Sequence, residues 1–211
     1  MLRQDIKEFI NTIPENVNIV AATKYVKANE MLELLECGIN NFGENRVDSF
    51  LEKYDELKNE NIIWHFIGHL QRNKAKKVIN KIDYLHSLDS LELAKIIDKE
   101  RSTPLNCFVE ISINLEEAKD GVPYFEASEF ISKLLEFKNI NIVGLMMMAV
   151  KAANSDELNQ QFKSLLDLKN KLEEEFNINI PYLSMGMSDD YKEAIAQGAT
   201  HIRLGRILWK N

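Results

Sequence analysis

Val17-Asn18-Ile19-Val20-Ala21-Ala22 runs directly into Thr23-Lys24, and the reading of this stretch decides the fold. A short apolar run bounded by polar residues reads as a buried strand. If that strand belongs to a parallel barrel, its C-terminal end opens onto the face where active sites lie, and Lys24 arrives there. An amine partly shielded from water is disfavoured as the cation and is then the better nucleophile toward aldehydes. Schiff-base chemistry at Lys24 is therefore one expectation. The plainer one is a lysine that snorkels to solvent at the start of a helix.

Working outward, further strand-like runs fall at 39–42, 62–67, 82–86, 106–111, 142–148, 181–183 and 200–204, with the first at 17–22. Helical spacing separates them. Leu158, Phe162, Leu165, Leu166, Leu172 and Phe176 form the clearest stripe, and Phe130, Ile131, Leu134 and Leu135 form another. Met31, Leu32 and Leu35 make a shorter one, and Met146–Met148 read as core. Eight strands alternating with helices leave two architectures, a closed (β/α)8 barrel and an open doubly wound sheet. No G-x-G-x-x-G follows the first strand, and no long interruption divides the chain, so a single TIM-type (β/α)8 barrel over residues 1–211 is expected. The segment 1–10 adds an extra N-terminal amphipathic helix.

Composition narrows the function. The net charge of −7 argues against a protein that coats nucleic acid or anionic membrane, so an anionic ligand must be held by local amides and cations. Cys37 and Cys107 lie in apolar stretches without C-x-x-C spacing and read as reduced core residues. The apolar run 142–150 is too short to span a bilayer, and the N-terminus lacks the contiguous apolar core of a signal peptide. Cytoplasmic residence is the expectation.

Four stretches could carry chemistry. Ser184-Met-Gly-Met-Ser-Asp-Asp190 precedes a helix expected at 191–197. Gly186 permits close backbone approach, and Ser188 stands where an N-cap belongs. Together they read either as an anion cradle or as an ordinary capped helix. His201-Ile-Arg-Leu-Gly-Arg206 follows, and barrels place phosphate sites in the loops after strands seven and eight. By alternation Arg203 and His201 share one face, and a buried arginine there needs an anion, an acceptor or a structural carboxylate. Phe42-Gly-Glu-Asn-Arg46 carries Asn45, which either reaches the mouth or caps the next helix. Trp64-His-Phe-Ile-Gly-His-Leu-Gln-Arg-Asn-Lys74 has His65 and His69 four apart, but that spacing suits a helical metal pair and this stretch is β-like, so no metal is expected. The same stretch misses a P-loop, with Asn73 and Ala75 at its key positions. Lys74, Lys76, Lys77 and Lys81 read as a solvated helix face.

Taken together, Ala-Ala-Thr-Lys24, Phe-Gly-Glu-Asn45, Trp64 to Lys74, Gly-Leu-Met146, Leu-Ser-Met-Gly-Met-Ser-Asp-Asp190 and Arg-Leu-Gly205 resemble the pyridoxal phosphate homeostasis proteins, single-domain barrels similar to the N-terminal domain of alanine racemase. The resemblance implies an internal aldimine between Lys24 and pyridoxal 5′-phosphate. It implies that Ser188 and the amides around Gly186 and Met187, with Gly205 and Arg206, hold the phosphate. Arg203 would face the pyridine nitrogen, Asn45 and His65 would line the pocket, and Lys119 matches a family lysine tied to cofactor exchange. Departures are Arg206 in place of a small hydroxyl residue, Tyr25 in place of Thr, and an end at Leu208-Trp-Lys-Asn211 that would shorten the closing helix.

An arginine at the ring nitrogen weakens the electron sink that catalysis needs, and no second domain is expected over the mouth. The resemblance therefore implies a carrier and buffer of the cofactor, without robust catalysis, serving apo-forms of pyridoxal phosphate enzymes. The alternative is a small racemase or decarboxylase drawing a second base from Tyr25, His65 or a partner subunit, and a third reading is a Schiff-base aldolase. A monomer is expected, with a weak dimer as the alternative.

Overall fold

The computed structural model describes residues 2–113, 120–150 and 152–209. Eight parallel strands close into a barrel: β1 (Asn18–Ala22), β2 (Asn41–Glu44), β3 (Ile63–Phe66), β4 (Tyr84–Leu88), β5 (Leu105–Ser112), β6 (Ile140–Met146), β7 (Tyr182–Ser184) and β8 (His201–Leu204). Each pairs with the next, and β8 returns to β1. Val20 sits between Asn41 on one side and Arg203 on the other, which joins the first strand to the last. A two-residue strand, Val122–Pro123, pairs beside the end of β5.

The helices are α1 (Ile6–Asn11), α2 (Ala28–Glu36), α3 (Val47–Leu57), α4 (Arg72–Ala75), α5 (Leu91–Glu100), α6 (Ala127–Leu134), α7 (Ser155–Phe176) and α8 (Tyr191–Ala196). The closed (β/α)8 barrel with an extra N-terminal helix is thus the architecture observed. Outward strand residues such as Ile19, Ala21, Phe42, Trp64 and Ile202 join the helices in one continuous apolar core. The barrel interior is different. It holds His65, Tyr84, His86, Phe108, Tyr182 and His201, packed ring against ring at centroid distances from 4.3 to 6.3 Å.

Some elements move from their expected places. The second strand lies at 41–44 instead of 39–42, because Gly43 continues the pairing with Ala22 and His65. On α7 the buried stripe runs through Leu168 and not Leu166, the geometry of a straight 3.6-residue helix over six turns. On α2 Leu34 is buried while Leu32 is exposed. Met148 is 55% exposed and is no core residue, because β6 has ended at Met146. Cys37 is half-buried, whereas Cys107 is fully enclosed and its thiol is pushed well up by burial.

Candidate functional site

The C-terminal ends of β1 and β8 and the loops after β6 and β7 surround a cavity of ≈ 1210 Å³ lined by Ala22, Lys24, Tyr25, Val150, Met187, Ser188, Arg203, Gly205 and Trp209, among others. Lys24 reaches this mouth, but the partial shielding expected of it is absent: the side chain is exposed, with Nζ 4.7 Å from the ring centroid of Tyr25. Tyr25 is itself 85% exposed, so it flanks the amine without covering it.

What fixes Lys24 lies on the other side of the strand. Thr23 faces outward, and its Oγ1 donates to Glu44 Oε1 at 2.5 Å. Lys53, from α3, donates to both Glu44 Oε1 and the Thr23 carbonyl at 2.5 Å, and Ser49 Oγ donates to Glu44 Oε2 at 3.2 Å. Both members of the ion pair are buried. A buried lysine–glutamate pair therefore clamps the residue immediately before Lys24.

Opposite Lys24 stand the two turns expected to bind an anion. Gly186 takes φ +90, and a Cβ there would come within 2.6 Å of Ala194, so only glycine fits. Ser188 is not an N-cap; α8 starts one residue after Asp190. Its Oγ instead crosses to the next turn and accepts from Gly205 N at 3.3 Å and from Ile207 N at 3.5 Å. A Cβ on Gly205 would touch nothing nearer than Ala22, at 3.8 Å, so the glycine leaves room in the mouth. Two expected anion groups are engaged elsewhere. The Met187 amide donates to Asp190 Oδ1 at 2.5 Å, and the Arg206 guanidinium pairs with Asp189 at 2.6 Å, both side chains largely exposed. The carboxylates next to the turn have captured these donors.

Arg203 does lie on the inner face of β8, with His201, as alternation required. Its Nη1 donates to Ser184 O at 2.8 Å and Ser184 Oγ at 2.6 Å, and Nη2 donates to Met147 O at 2.8 Å. Its partners are neutral acceptors and not a structural carboxylate. Burial pushes the guanidinium down to about 10, against the opposing fields of Glu110 and Asp190, so it stays a cation at neutral pH. Glu110 is buried on β5, and desolvation, with Asp89 adding to it, raises its carboxyl to about 7.

Asn45 lies just beyond β2, packed against Gly68, and its Oδ1 is buried without a partner among the described residues. It does not line the mouth cavity. His65 does not line it either. It is fully buried within the barrel, stacked on Tyr84 at 4.7 Å and bonded to Asn41 and His86. The reason is its register, opposite Gly43 and Tyr84, below the strand ends. His69 is remote from it in environment, with Nδ1 3.5 Å from Asp89 and 3.4 Å from Asp120. Lys119 lies outside the described residues.

His86, Ser184, Glu44 and Lys53 were missed as site-supporting residues. Alternation from Tyr84 and from Gly186 would have turned His86 and Ser184 inward. No sequence signal paired Lys53 with Glu44.

Residues 1–211 match the family described as alanine racemase, N-terminal domain. A pyridoxal phosphate homeostasis protein of Aquifex aeolicus is 37% identical over 90% of this chain and 85% of its own length. One of Synechocystis is 37% identical over 96% and 94%. The structure of PipY of Synechococcus elongatus with PLP bound superposes with a TM-score of 0.90 at 29% identity, covering 97% of this chain and all of that one. A barrel closed between β1 and β8, with relatives that cover 90–97% of its length, places the chain in the pyridoxal phosphate homeostasis protein family.

Proposed function

We propose that the protein binds pyridoxal 5′-phosphate in the barrel mouth through a Schiff base at Lys24, and carries and buffers the cofactor without turning over a substrate of its own. The observation that carries this reading is convergence: one amine, one buried cation and one pair of serine-bridged turns face a single cavity from the two ends of the chain. The residues fit the group. Gly205 leaves space beside Ala22, and the Ser188 hydroxyl sits on the Gly205 and Ile207 amides, where an anionic oxygen could take its place. Arg203 is a fixed donor at the cavity wall. Arg206 acts from the rim through its charge.

The cofactor, when bound, supplies an electrophilic aldehyde. Lys24 would be the amine that meets this aldehyde, and loading and release would need no oxidant or reductant. The exposure of Lys24 favours both directions of that exchange, which is what a donor to apo-enzymes needs. A racemase or decarboxylase would require a second base in the mouth. His65, enclosed in the barrel, is withdrawn from that role, which leaves Tyr25 or a partner subunit. The relatives' name as homeostasis proteins favours the carrier.

An absorption spectrum tests this. Wild type incubated with pyridoxal 5′-phosphate should turn yellow and keep its colour through gel filtration, and Lys24→Ala should not. A colourless wild type ends the proposal. Solvent deuterium appearing at the α-carbon of amino acids at turnover rates would favour the enzyme.

A further inference from the structure

Inside the barrel, one line of hydrogen bonds runs from its floor to its mouth. Asn41 Oδ1 meets His65 Nε2 at 2.9 Å, His65 Nδ1 meets His86 Nε2 at 2.8 Å, and His86 Nδ1 meets Ser184 Oγ at 2.8 Å. Ser184 Oγ in turn receives Arg203 Nη1. The chemistry of the Asn41 end fixes every proton along the column. A guanidinium only donates and an amide oxygen only accepts. Asn41 is held in this sense because its Nδ2 donates to Asn40 Oδ1 at 2.9 Å.

Starting at Arg203, the Ser184 hydroxyl accepts from Nη1 and so is free to donate to His86 Nδ1. His86 then carries its hydrogen on Nε2 and donates to His65 Nδ1. His65 likewise carries its hydrogen on Nε2 and donates to Asn41 Oδ1. Reversing the column would leave His65 Nε2 without a hydrogen, facing an oxygen that has none to give. The column therefore cannot pass a proton along, because its Asn41 end cannot exchange roles.

We propose that Ser184, His86 and His65 are positioning residues for Arg203, a one-way relay that holds both imidazoles neutral as their Nε2–H tautomers and locks the guanidinium with its remaining donors toward the mouth. Among the described contacts, Nε and the second Nη2 hydrogen of Arg203 carry no hydrogen bond, while its other donors are spent on Ser184 and Met147. Burial also holds both histidines well below their ordinary range, which agrees with neutral rings. The effect on the cofactor rests on the reading that Arg203 contacts it; the tautomers do not.

Two measurements test the relay. Long-range ¹H–¹⁵N correlation on ¹⁵N-histidine-labelled protein without cofactor, at neutral pH, should show the His65 and His86 rings, assigned by the signals lost in His65→Gln and His86→Gln, as Nε2–H. Either of these two rings in the Nδ1–H form, or cationic, overturns the relay. In protein loaded with pyridoxal 5′-phosphate, Ser184→Ala should release it about tenfold faster, the loss of one hydrogen bond to a charged group. Ser184→Thr, which keeps the hydroxyl, should restore the wild-type rate. Unchanged release in a folded Ser184→Ala protein, or failure of Thr to restore it, overturns the positioning role. A wild type that takes up no cofactor would instead sink the proposed function and leave the tautomer result standing on its own.

Discussion

Two buried polar networks support the mouth, one on each side of the barrel wall, and they are built on opposite principles. Outside, Glu44 and Lys53 bury full charges between β2 and α3 and grip the Thr23 carbonyl beneath Lys24. Inside, His65 and His86 bury neutral rings whose donors and acceptors match one to one, ending on Arg203. The outer network pays desolvation for a rigid anchor, and each partner depends on the other. The inner one avoids charge until its last member. The contrast predicts that the outer pair fails abruptly and the inner column fails with pH.

The largest effect should come from splitting the outer pair. Lys53→Ala leaves Glu44 buried and uncompensated and should cost about 3–5 kcal/mol. The double variant Glu44→Gln/Lys53→Met should recover most of that loss in urea denaturation. If the single and double variants were equally destabilised, the clamp would owe nothing to charge.

Acid breaks the inner network next. His65, His86 and His201 are all held below the ordinary histidine value of 6.5, so the unfolded chain takes up protons that the folded rings refuse. Stability is full above pH 6.5 and falls below it, by about 2 kcal/mol at pH 5 for His201, whose folded value is about 4, with His65 and His86 acting in the same direction. His86→Gln should flatten that fall by about one ring, read from urea midpoints at pH 7.5 and 5.

Glu110 runs the other way. Its folded value of about 7 stands above its ordinary 4.5, so its contribution is present at low pH and is lost as pH rises from 4.5 through 7. Glu110→Gln should therefore stabilise the protein at pH 8, by about 1–3 kcal/mol. The smallest effect belongs to the rim. Arg206→Ala, which removes an exposed pair with Asp189, should change stability by no more than about 0.5 kcal/mol.

The same contrast explains what could be read from the chain alone. The barrel was legible because strand runs and helical stripes are local patterns, and Lys24, Gly186 and Arg203 were legible because strand ends and alternation put them on one face. His65 was misplaced because a strand histidine looks alike at either level of a barrel, and only its register opposite Gly43 sets its depth. Arg206 lines the cavity, and no spacing in the sequence signalled that the neighbouring Asp189 competes for its side chain. The Glu44–Lys53 clamp depends on how α3 packs on β2, which no spacing in the sequence encodes.

Borohydride reduction of the loaded protein, followed by peptide mass spectrometry, tests the central claim most directly. The account predicts a single pyridoxyl phosphate adduct on Lys24 and none on the buried Lys53 beneath it. An adduct spread over surface lysines with Lys24 unmodified would contradict it.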